Sequence, residues 1–132
     1  MKRIGLLLLM AAAGLSLRAQ TGFEILGAEV ADCGTGYGVQ MSVIREIGHG
    51  AYFLMRSGME GGRTVSVVPL GADKEEAEVN MAMMEAVIIT KDACRLSTGV
   101  RIGYAFGALT GDGVYFDAET FRKLAAQPGL WK

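Results

Sequence analysis

The chain has 132 residues, 51% hydrophobic and 20% charged, with 13 basic and 14 acidic side chains and a formal net charge of −1. That apolar content is too high for an intrinsically disordered chain, and the length suits one small domain. Without a basic cluster there is little to neutralise a phosphate backbone, so nucleic acid is not an expected partner.

The N-terminus reads as a secretory signal. Met1-Lys2-Arg3 is a short positive start, Ile4 to Leu17 is apolar or small apart from Ser16, and Ala19 supplies a small residue at a cleavage position. The apolar stretch is about 14 residues, short of the roughly 20 that cross a bilayer. A lipid-modified cysteine would have to follow it directly, but Gln20 stands there and the first cysteine is Cys33. The pattern predicts a signal peptide over residues 1–19, cleaved between Ala19 and Gln20, and a single exported domain over 20–132. That domain would reside in the periplasm, in the cell envelope or outside the cell. The leader holds Lys2, Arg3 and Arg18 and no acid, so the remaining 113 residues carry a net charge near −4. An acidic surface docks poorly on anionic lipid. No apolar run in residues 20–132 is long enough for a transmembrane helix.

Phe23 to Val30 reads as a short edge strand, and Cys33 to Gly38 as a turn-rich joint. Tyr37, Val39, Met41 and Val43 alternate with Gly38, Gln40 and Ser42, the period of a half-buried strand. Gly48-His49-Gly50 turns the chain, Ala51 to Met55 returns as a hairpin partner, and Gly58 to Gly62 is a loop. Thr64 to Val68 is β-branched and reads as a strand stopped by Pro69 and Gly71. Asp73 and Glu76 fit a helix cap and capping box. Ala77, Met81, Met84 and Ile88 keep helical spacing, but Val87 and Ile89 also fit a strand. The expectation is a helix near 74–85 passing into a strand over 86–90. Gly99 to Phe106 reads as a strand with Val100, Ile102, Tyr104 and Phe106 on one face. Asp112-Gly113 is a hairpin signal between this region and Val114 to Phe116. Asp117 caps a C-terminal helix near 118–126, with Phe121, Leu124 and Ala125 inward and Pro128-Gly129 beyond it. The expected class is α+β and β-dominated: one small antiparallel sheet of hairpins with one or two short helices.

Candidate chemistry is sparse. Cys33 and Cys94 are the two cysteines, and in an exported chain an even count suggests a disulfide. Closing a loop of about 60 residues would contribute roughly 4 kcal/mol in the chain-entropy model. A nucleophilic Cys33 with His49 is the competing use. His49, the single histidine, lies between two glycines and reads as a solvated turn residue. Acyl transfer needs a nucleophile, a base and an orienting group, and no serine sits in a Gly-x-Ser-x-Gly elbow. Met81-Ala82-Met83-Met84 offers soft thioethers suited to Cu(I), but no second cluster accompanies it and core packing is the simpler role. The Gly34-Thr35-Gly36-Tyr37-Gly38 run lacks dinucleotide-loop spacing. Glu75, Glu76 and Glu78 lack the alternation of a calcium loop. No catalytic residue, metal ligand or cofactor is therefore assigned.

The functional expectation is a non-catalytic binding or interaction module of the cell envelope, its partner an envelope protein or a glycan. Two other classes compete. Alternating strands with glycine-rich turns suit a small outer-membrane β-barrel, although eight spanning strands would consume nearly the whole domain. A small secreted hydrolase would use Cys33 or a pair of carboxylates.

Overall fold

A computed structural model describes residues 22–32, 38–58, 64–111 and 114–131. Two antiparallel four-stranded meanders flank a long helix. The first comprises β1 (Phe23–Asp32), β2 (Gly38–Glu46), β3 (Tyr52–Gly58) and β4 (Thr64–Gly71), in the order β1-β2-β3-β4. Helix α1 (Lys74–Thr90) follows. The second meander comprises β5 (Cys94–Arg95), β6 (Arg101–Ala105), β7 (Ala108–Gly111) and β8 (Val114–Asp117), and α2 (Ala118–Ala125) comes after it. The β-dominated α+β class matches the expectation. The eight strands among the described residues form two sheets rather than one, because α1 intervenes and the second meander starts afresh beyond it.

Both helices touch both sheets, and β4 touches β8 directly. One apolar core results, joining Val43, Leu54 and Leu70 of the first sheet to Met84 of α1, Phe116 of the second sheet and Phe121 of α2. Each of these side chains is fully or almost fully buried.

Helix α1 starts where the capping residues predict. The Asp73 carboxylate accepts the Glu76 N–H at 2.8 Å, satisfying one of the unpaired donors of the first turn. Glu76 reaches back one residue further than a capping box requires and accepts the Ala72 N–H at 2.9 Å. The helix then runs through Thr90, so the strand expected over 86–90 is corrected. Ala77, Asn80, Met81, Met84, Val87 and Ile88 form one buried stripe, and Val87 and Ile88 stay inward only if the turns continue. The helix ends at Lys91, whose left-handed backbone lets its N–H reach the Val87 carbonyl at 2.8 Å.

A buried polar cluster fastens α1 to its neighbours. Asn80 is fully buried, and its amide donates to the Leu70 carbonyl at 2.7 Å and to the Ser97 hydroxyl at 2.8 Å. The Asn80 carbonyl oxygen accepts the Ser97 N–H at 3.3 Å. Ser97 in turn donates its hydroxyl to Glu76. The cluster thus links the end of β4, the first turns of α1 and the loop after β5. These two hydrogen bonds at Glu76, from Ser97 and from Ala72, hold its carboxyl below the usual carboxylate range. Gly71 is demanded by the same approach, since a Cβ there would lie 2.7 Å from the Glu76 Cβ.

Two further expectations are revised. Pro69 does not stop its strand, because β4 is a sheet edge, where a missing N–H breaks no ladder. Phe106 does not share the inward face of Val100, Ile102 and Tyr104. It forms the β6–β7 turn with Gly107, at φ 53° and 78°, and its ring is fully exposed. The C-terminal helix behaves as expected. Asp117 accepts the Thr120 N–H at 2.9 Å, and Phe121 and Leu124 are fully buried.

Candidate interaction face

The first sheet is apolar on both sides. Strand alternation and register sort its residues into two sets. The inner set includes Met41, Val43, Tyr52, Leu54, Val68 and Leu70, all within the core. The outer set is Phe23, Ile25, Ala28 and Val30 from β1; Gln40, Ser42, Ile44 and Glu46 from β2; Phe53, Met55 and Ser57 from β3; and Val67 and Pro69 from β4. None of the outer set belongs to the core. A β-bulge between Ile25 and Gly27 puts both Leu26 and Gly27 inward and restores the alternation from Ala28 onward.

Ile44 lies opposite Ile25 on one side and Phe53 on the other. It is only 3% exposed. Phe23 meets Phe53 edge to face, with ring centroids 6.4 Å apart. Around this centre the flanking side chains stand open: Ile25 is 58% exposed, Val30 57% and Val67 46%. Among the described side chains of the face only Glu46 is charged. It sits at one end, where its carboxylate lies 3.5 Å from His49 Nδ1. Ser42 is 1% exposed, and its hydroxyl has no hydrogen-bond partner.

Apart from Glu46 at its end, the described face is a mostly apolar plane, suited to excluding water against a matching surface. Elsewhere the surface offers less. A hollow of about 60 Å³ lies beside the Glu24–Arg45 ion pair, lined also by Tyr52, Lys74 and Trp131. It is far smaller than the roughly 300 Å³ at which small-molecule pockets begin. Glu24 first and Tyr52 second reinforce the charged form of Arg45. A wide open groove of about 980 Å³ between the last turns of α1 and the length of α2 carries both signs of charge, from Glu85, Lys91, Glu119 and Arg122. Lys91 is already engaged there, its ammonium 4.2 Å from the centre of the Tyr104 ring.

The residues singled out from the sequence do not meet at this face. Ala19, Gln20 and Cys33 lie outside the described residues, as do Asp112 and Gly113. β7 and β8 nevertheless pair antiparallel, with Gly111 opposite Val114. Cys94 is half-buried on β5, and burial pushes its thiol above the ordinary range. His49 is an exposed turn residue. Met81 and Met84 are core residues, and Met83 packs against the core from its edge. No group of three metal-ligating side chains occurs among the described residues. No helix among them is long and apolar enough to cross a membrane.

The face itself was missed, although a signal for it existed. Ile25-Leu26, Val43-Ile44, Tyr52-Phe53-Leu54-Met55 and Val67-Val68 are unbroken apolar runs. Strict alternation marks a strand with one wet side, whereas such runs mark strands buried on both sides. Searches against protein-family models, curated proteins and solved structures give no match for this chain.

Proposed function

We propose that the chain is an exported, non-catalytic interaction module of the cell envelope, and that it binds through the outer face of the β1–β4 sheet. The observation carrying this reading is that face, to which all four strands contribute apolar side chains, with Ile25, Val30 and Val67 about half exposed. Contiguous apolar surface of this kind is costly to leave in water and usually marks a docking site. Export is the reading of residues 1–19 as a signal cleaved between Ala19 and Gln20. Intact-mass measurement of exported protein should give the 20–132 species, and a retained leader would overturn that part. In the same compartment Cys33 and Cys94 are proposed to pair. Alkylation before and after reduction, read by mass, should add two labels only after reduction.

The binding role is tested by a pull-down from envelope extracts with the wild-type protein and with Ile25→Glu/Val67→Glu. Captured material that the face variant loses supports the reading. Equal capture by both overturns it, as does turnover of a peptide, ester or peptidoglycan substrate that disappears in His49→Ala or Cys33→Ser. The barrel alternative draws no support from strand lengths, because β5 to β8 have two to five residues and spanning strands need about nine to eleven.

A further inference from the structure

The outer face of the first sheet needs an occupant, and its chemistry narrows the choice. A glycan would require several polar side chains able to reach hydroxyls. The described face offers Gln40, Ser57 and a Ser42 hydroxyl that is already buried. A charged peptide would find no opposite charge beyond Glu46 at one end. The surface best matched to a neutral apolar plane is another such plane, and a second copy supplies one without setting like charges against each other at its centre.

We propose that this face is a homodimer interface, in which two copies stack their β1–β4 sheets face to face about a two-fold axis. This inference rests on the interaction-module reading and names the partner. Aligned sheets pack about 10 Å apart, their strand directions some 30° apart through their own twist. Four strands spaced about 4.8 Å apart, each contributing about seven residues of 3.3 Å, give a plan area of roughly 450 Å² per copy. The two copies together then bury about 900 Å², in the size range of weak, transient interfaces. The dimer is therefore a reversible one rather than an obligate pair. The side chains that change environment are the half-open ones, Phe23, Ile25, Val30 and Val67. Ile44 and Ser42 are already buried in the protomer and lose little further surface.

The test is sedimentation velocity of the purified protein from about 1 to 200 µM, with Ile25→Glu/Val67→Glu beside it. The wild type should shift from monomer to dimer across that range, and the variant should stay monomeric with an unchanged far-ultraviolet spectrum. A wild type that is monomeric throughout overturns the dimer, as does a variant that dimerises equally well. Should the double variant fail to fold, a photo-crosslinking residue at Val67 in living cells replaces it. A self-adduct at twice the chain mass supports the proposal. An adduct only with another protein overturns the dimer while leaving the interaction module standing. No adduct of either kind overturns both.

Discussion

The two faces of the first sheet come from the same four strands and carry similar residue types, yet only the inner one is completed within the protomer. Leu54 and Val68 point inward, into the core that their strands share with α1 and the second sheet. Their sequence neighbours Phe53 and Val67 point outward, and no outer residue joins the core. Apolarity alone therefore does not identify a core. What distinguishes the inner face is that the chain returns to it twice, once as α1 and once as α2. The outer face carries the same kind of side chain without joining that core.

The sharpest way to break this contrast is Leu54→Ala, which removes a fully buried side chain from the centre of the inner face. The variant should lose roughly 2–5 kcal/mol, read as a lower denaturant midpoint. Asn80→Ala should come next, at about 1–3 kcal/mol, because the Leu70 carbonyl and the Ser97 backbone N–H both lose a partner. Its thermal midpoint should fall while the far-ultraviolet spectrum below that midpoint stays unchanged.

Glu76 predicts a smaller, pH-dependent effect. Its folded carboxyl titrates below the unfolded value, so the stability it contributes is present above the ordinary carboxylate range. That contribution is lost as pH falls through the folded value. The gap in denaturant midpoint between wild type and Glu76→Gln should accordingly narrow on acidification from pH 7 to pH 3. The smallest effect belongs to the outer face. Val67→Thr keeps the β-branched shape on an exposed position and should leave protomer stability within about 0.5 kcal/mol, measured by dilute denaturant titration. A loss comparable to that of Leu54→Ala would mean that the two faces are not distinct.

Elements with local punctuation were legible in the sequence. The β2–β3 hairpin announces itself through alternation and the Gly48-His49-Gly50 turn, and both glycines do adopt positive φ. Helix α2 is bracketed by Asp117 and Pro128, so its position is fixed at both ends. The end of α1 had no such marker. Val87, Ile88 and Ile89 favour strands by propensity, and the contacts that hold Val87 and Ile88 on the buried face of the helix come from distant parts of the chain. Phe106 defeats a local reading differently, since a bulky residue at positive φ is rare and nothing beside it except Gly107 hints at a turn. The open outer face depends on which side of the first meander α1 and α2 cover, and neighbouring residues do not encode that.

The side chain of Gln127 donates at 2.7 Å both to the Ala28 carbonyl and to the Glu29 carboxylate, a contact spanning 99 positions of the chain. Leu130 approaches the same place, since a Cβ on Gly27 would lie 2.6 Å from its Cδ1. The earliest described strand is thus fastened by residues about a hundred positions further along the chain. Every intermediate length of nascent chain lacks this fastening, and contacts between such remote positions form slowly because a long loop must close first. Until residues 127–130 are in place β1 lacks these contacts, so its docking is expected to be a late step of folding.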